Sequence, residues 1–78
     1  MSPTAAPTGV LEIEGKFGEG EIYVDGAFFG NTPGRLVLVP GKHVVEIRRL
    51  GFKPYRRELF IGAGDLLRLC ALNEPEEH

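Results

Sequence analysis

The residues with side chains suited to chemistry are few, and their spacing decides what they can do. His43 follows the turn dipeptide Pro40-Gly41, and its neutral imidazole suits a general base or a pH-sensitive switch. A base needs a nucleophile within hydrogen-bond reach, and no Ser, Cys or Asp stands in a recognisable relation to it. Asp25, beside Gly26, invites calcium or a sugar hydroxyl, yet calcium takes about six to eight oxygens and one carboxylate supplies two. Its ordinary role is to hydrogen-bond the backbone of its own turn. Cys70, the only cysteine, lies in an apolar run and reads as a small buried hydrophobe. No Cys/His spacing suggests zinc, and neither metal nor cofactor is expected.

The glycine-rich stretches 18–20 and 62–64 lack the Lys-Ser/Thr pair of a phosphate loop and have no helix behind them, so they are turns. Arg48, Arg49, Lys53, Arg56 and Arg57, interleaved with Phe52 and Tyr55, form the densest basic group. Adjacent arginines on a strand point to opposite faces, and the chain is acidic overall, with a pI near 5.6. Nucleic acid is therefore not the expected partner; an anionic polymer or an acidic protein surface fits better, with Arg48 and Arg56 as candidate contacts. Tyr23, Phe28 and Phe29 are the candidate aromatics. Tyr23 alternates against Ile22 and Val24, and two consecutive phenylalanines cannot both point inward from a regular strand. These rings either face solvent, where aromatics grip sugars and partner proteins, or are covered at the rim of a two-layer fold.

The elements that position these residues are short strands divided by turns. The stretch around which the chain is organised runs from Glu19 to Pro33. Ile22 and Val24 share one face of a strand over 21–24, Asp25-Gly26 predicts a two-residue hairpin, and a strand that is short or at an edge follows at 27–29. The segment from Gly30 to Pro33 breaks it, because Pro33 offers no backbone donor. A first strand over 10–14 points Leu11 and Ile13 inward, and Phe17 in the loop beyond it is expected to tuck against the core edge. Arg35–Val39 puts Leu36 and Leu38 on one face and ends at Pro40-Gly41. His43–Leu50 follows, with Val45 and Ile47 inward, up to the break at Gly51. The candidate strand 52–61 has Pro54 near its start, so pairing is expected in its later part. Arg57 shares the parity of Tyr55, Leu59 and Ile61, which predicts a bulge or a snorkelling stem. Leu66–Leu72 is apolar on both parities apart from Arg68 and reads as a strand covered on both sides. No segment shows helical period, so the class is all-β: a small antiparallel β-sandwich of about seven short strands.

With 78 residues there is room for one small domain. Residues 1–8 read as linker, 9–73 as the folded module, and 74–78 as an acidic, flexible tail. No run is apolar enough to insert in a membrane, and no signal peptide is visible within these residues. Charge is uneven. Residues 1–34 carry one lysine against five acids, residues 35–68 eight basic residues against three acids, and residues 69–78 three acids. Such asymmetry is read as strands of opposite charge lying side by side, with an interaction surface as the alternative.

The ordered series Glu19-Gly-Glu-Ile-Tyr-Val-Asp-Gly26, Gly30-Asn-Thr-Pro33, Leu38-Val-Pro-Gly-Lys-His43-Val-Val-Glu-Ile47 and Gly51-Phe52 closely resembles the PEGA domain family. Departures are Gly18 where the name motif has Pro and Glu21 where it has Ala, both at a loop and its edge. The resemblance implies a prealbumin-like or immunoglobulin-like sandwich and supplies no catalytic residues, so the chain is expected not to be an enzyme. It further implies an accessory module of a larger bacterial protein, extracytoplasmic at the cell surface or in the periplasm. The expected partner is a protein or a second copy of the chain, with a carbohydrate or envelope polymer as the alternative. The resemblance also implies that His43, which matches the family's turn-and-strand histidine, makes a structural hydrogen bond to backbone near its turn. In this reading Asp25, Gly26, Gly30, Pro33, Pro40, Gly41 and Gly51 are scaffold, and Tyr23, Phe28, Phe29, Arg48 and Arg56 are the binding residues.

Overall fold

The computed structural model describes residues 8–16 and 18–76, and its strands follow the alternation of apolar residues. They are β1 (Gly9–Gly15), β2 (Glu21–Val24), β3 (Ala27–Asn31), β4 (Gly34–Leu38), β5 (Gly41–Arg48), β6 (Tyr55–Ile61) and β7 (Leu66–Ala71). Two sheets form, one ordered β4-β1-β7 and the other β3-β2-β5-β6. Leu11, Ile13, Ile22, Val24, Leu36, Leu38, Val45, Ile47, Ile61 and Ala71 are buried together between them. Each Leu, Ile or Val so buried contributes about 1.5–3 kcal/mol relative to exposure. The apolar faces expected on β1, β2, β4 and β5 are the ones buried there.

The sandwich is not wholly antiparallel. β7 runs parallel to β1, Val10 opposite Leu66 through Gly15 opposite Ala71, while the other pairings are antiparallel. β7 is also an edge strand with one covered face. Leu67, Leu69 and Ala71 turn toward the core, whereas Leu66, Arg68 and Cys70 are exposed. This overturns the reading of a doubly covered strand and of Cys70 as buried. An apolar run carries no parity, and the position of its strand at the edge depends on contacts distant in sequence.

Arg57 sits on the inward parity with no bulge, since β5 and β6 pair in unbroken register from Gly41–Ile61 to Ile47–Tyr55. β6 is an edge strand, so the Arg57 stem leaves the sandwich sideways, and Nη1 donates to Tyr55 Oη at 3.2 Å. The bulge is on β3 instead. Tyr23 pairs with Phe28 but Ile22 with Gly30, leaving Phe29 as an extra residue. That insertion frees both phenylalanines from strict alternation, and both are exposed.

At the β2–β3 hairpin Asp25 and Gly26 have φ of 51° and 87°, the type I′ pair that matches strand twist. The Asp25 carboxylate does not bond its own turn. It crosses to β5, where Oδ1 accepts from Val44 N at 2.9 Å and Oδ2 accepts from His43 Nδ1 at 2.7 Å. At the other end of β3 the chain passes from one sheet to the other through Thr32, which is 1% exposed. Its hydroxyl accepts from Gly20 N at 2.8 Å and donates to Gly18 O at 3.2 Å, pinning this corner.

The tail read as flexible from residue 74 onward is anchored as far as Glu76. Asn73 is buried and donates from Nδ2 to Ile47 O and Lys53 O, at 3.0 and 2.8 Å. Lys53 N donates to Glu74 O, and Glu76 N to Gly51 O. Residues 1–7 of the expected linker over 1–8, the docking of Phe17 and the last two tail residues lie outside the described residues.

Candidate functional site

The outer face of the four-stranded sheet collects most of the candidate binding residues. Cross-strand register sets Phe28 opposite Tyr23, Tyr23 opposite Glu46, and Glu46 opposite Arg56, one continuous row across β3, β2, β5 and β6. Side chains at opposed positions of antiparallel strands share a face and interact, so this row follows directly from the pairing. Phe28 stands edge-on to Tyr23, ring centroids 5.7 Å apart at 67°, the geometry that aromatic quadrupoles favour. The Arg48 guanidinium lies 4.3 Å from the Tyr23 centroid and is paired with Glu46. The Glu46 carboxylate holds the Arg48 pKa above its ordinary value. Tyr23, Gly26, Val44, Glu46, Arg48 and Arg56 enclose a groove of about 200 Å³ on this face.

Four of the five expected binding residues, Tyr23, Phe28, Arg48 and Arg56, thus assemble on one surface. Phe29 adjoins them in β3 as the bulge residue. Phe28 is 55% exposed and Phe29 46%. Two contributors escaped the sequence reading. Glu46 fixes Arg48, and its outward parity was the available signal. Phe60 is 74% exposed on β6, opposite Lys42 and two rows, about 13 Å, along the strand from Arg56. Its parity, opposite to that of Leu59 and Ile61, placed it outward too. Lys42, in the Phe60 row, pairs diagonally with Glu58 in the row between and holds the Glu58 carboxyl below its ordinary range.

The basic cluster disperses. Arg48 and Arg56 are on the outer face, Arg57 emerges from the inner face, and Arg49 stacks over Phe52 at 4.6 Å beyond the end of β5. No single-sided cationic track results. The oppositely charged parts of the chain do meet side by side, since Glu12 on β1 lies between Arg35 of β4 and Arg68 of β7.

His43 is 7% exposed and has both ring nitrogens engaged, Nδ1 with Asp25 and Nε2 with Val39 O, each at 2.7 Å. Carboxylate and carbonyl are both acceptors, so the imidazolium is the form that satisfies both contacts. The Val39 carbonyl first, then Asp25, hold its pKa above the ordinary histidine value. The Val44 amide first, then His43, hold Asp25 below the ordinary aspartate value. The expected bond from His43 to backbone beside the turn is present, and Asp25 joins it from across the sheet. Among the described residues no three His, Cys, Asp or Glu side chains gather as a metal site would require.

The family model of the PEGA domain matches residues 8–74. The chain belongs to the PEGA domain family. Its motifs now have physical roles. The Val-Asp-Gly of the PEGA pattern is the I′ hairpin whose aspartate holds β5, the Gly-x-Thr-Pro is the corner pinned by Thr32, and the Pro-Gly-x-His delivers His43 to Asp25. These motif residues hold the hairpin, the corner and the β5 turn; of the outer face, Phe28, Arg48 and Arg56 lie outside the motif stretches and Tyr23 and Glu46 within them. No curated protein matches the chain.

Proposed function

We propose that this PEGA domain is a non-catalytic interaction module that docks a protein partner on the outer face of its four-stranded sheet. The observation that carries the reading is the exposure of Phe28 and Phe29 beside the fixed Arg48 and the Arg56 side chain. Aromatic residues and arginine dominate the energetic centres of protein interfaces, and a guanidinium already held by Glu46 and Tyr23 loses little freedom on binding. Glycan binding is less well served by this face. A sugar ring stacks on an open aromatic face, and Tyr23 has Arg48 over its ring and Phe28 against it. His43 supports the non-catalytic reading, because both of its nitrogens are bound to acceptors. From its family we further infer an accessory role within a larger bacterial protein, acting outside the cytoplasm.

The test replaces Phe28 with the photoreactive p-benzoyl-phenylalanine in the parent protein and irradiates living cells. The expected result is a discrete protein adduct from position 28, lost on adding Arg48→Ala, with none from the same probe at Val37 on the other sheet. Equal adducts from both positions, or retention on peptidoglycan with no protein adduct, would overturn the reading.

A further inference from the structure

The sandwich has four edge strands, β3, β6, β4 and β7, and they are not equally protected. An unpaired strand edge is a template for another chain, and proteins blunt it with bulges, prolines, short strands or inward-pointing charges. β3 carries the Phe29 bulge. β4 spans five residues between Pro33 and Pro40. β6 follows Pro54 directly and carries Arg57 on its inward parity. β7 has none of these devices. Its pairing with β1 is unbroken, it contains no proline, and its inward residues are Leu67, Leu69 and Ala71. Its one charge is the outward Arg68, with Leu66 and Leu72 half-exposed at its two ends. Among the described residues its outer edge has no strand partner. The core is also least covered on this side. Leu67 and Leu69 of β7, with Tyr55 and Leu59 of β6, are the partly buried residues at its margin.

We infer that the free edge of β7 pairs antiparallel with β7 of a second copy, about a two-fold axis at Leu69, joining two three-stranded sheets into one of six strands. β7 spans Leu66–Ala71, so the registers centred on Arg68 and Leu69 pair the most of it, and the side chains decide between them. Opposed residues of an antiparallel pair must share a face, so a symmetric pairing is centred on a residue. Centring on Arg68 sets two arginines face to face, which is unfavourable. Centring on Leu69 sets Leu69 against its own copy and Leu67 against Ala71 on the inner side. On the outer side it sets Arg68 against Cys70 and the exposed Leu66 against Leu72. No like charges are opposed, and the half-covered core margin gains a neighbouring apolar strand. This surface is separate from the Phe28 face, and the inference stands or falls independently of the proposed docking there.

Cys70 provides the test because it is exposed and would face Arg68 of the second copy, while within the chain it is opposite Glu14. Sedimentation equilibrium of the full 78-residue chain, in reductant, should show a reversible dimer. Cys70→Glu creates two symmetric attractions with Arg68 and should tighten the dimer about 2- to 30-fold, whereas Cys70→Arg should weaken it by a similar factor. Monomer stability should move the other way in dilute thermal melts, since Arg at 70 attracts Glu14 and Glu at 70 repels it. This opposition separates pairing from folding, and either variant alone suffices. A chain that stays monomeric to about 1 mM, or a dimer indifferent to the charge at position 70, would overturn the inference.

Discussion

Replacing Thr32 with valine tests the corner that ends β3 and so determines where Phe28 and Phe29 stand. Valine copies the shape of threonine and deletes the hydroxyl that accepts from Gly20 N and donates to Gly18 O. Gly18 is exposed, so water can replace the lost donor at its carbonyl. Gly20 is buried, and its N–H loses the Thr32 oxygen with nothing in exchange, at a cost of about 1–3 kcal/mol. A domain of this length has a total stability of roughly 4–12 kcal/mol at the usual value per residue. The loss is thus a large fraction of the whole, and at about 4–8 °C per kcal/mol it lowers the melting temperature by roughly 4–24 °C. Thr32→Ser keeps both bonds and removes one methyl group, for about 0.8 kcal/mol plus a small cavity. Thermal unfolding by circular dichroism should rank wild type above serine and serine above valine, and hydrogen exchange at the Gly20 amide should accelerate in the valine variant. A valine variant as stable as wild type, or more stable than the serine variant, would refute the reasoning.

The Asp25–His43 pair makes stability depend on pH from both sides. His43 has a raised pKa, so its contribution is complete below about 6.5 and is lost as pH rises through the folded value. Asp25 has a lowered pKa, so its contribution is present above about 3.9 and fades as pH falls through its folded value. Urea midpoints should therefore be highest between about pH 4 and 6.5 and decline above that window, and His43→Gln should flatten the alkaline decline. An unchanged pH profile in that variant contradicts the assignment. At the hairpin, a Cβ at Gly26 meets nothing within 4 Å, so substitution there acts through the backbone alone. Gly26→Ala should cost about 1–2 kcal/mol in urea unfolding, and Gly26→Val more. A Gly26→Val domain with a wild-type midpoint that had lost only its partner would show the hairpin to be a contact surface and not a scaffold.

Strict alternation made much of this fold readable in advance. Ile22 and Val24, Leu36 and Leu38, and Val45 and Ile47 each announce a half-buried strand, and Asp25-Gly26 specifies its turn, because period and turn chemistry are local properties. Long-range features left weaker traces. Nothing near Asp25 indicates that its partners are His43 and Val44, eighteen and nineteen residues away. Parallel pairing of β7 depends on where the chain returns, and its two-sided apolar run gave no parity from which to place Cys70 or Leu66. Asn73 looks like the start of a polar tail until the carbonyls of Ile47 and Lys53 are brought beside it. The proposed binding surface was legible as residue types, aromatics and arginines, but the exposure of the aromatics and their union with the arginines in one row required the cross-strand register. The Phe29 bulge, which explains how two successive phenylalanines both reach solvent, is visible only in that pairing.

In the proposed function a protein partner docks across the Phe28–Tyr23–Glu46–Arg56 row. The most direct measurement is an amide chemical-shift map of the isotopically labelled domain titrated with the protein captured from position 28. Perturbations should concentrate on β3, β2 and the outward residues of β5 and β6, be absent from Val10 and Val37 on the opposite sheet, and be abolished by Phe28→Ser. Shifts confined to the three-stranded sheet, or a full response that survives Phe28→Ser, would contradict it.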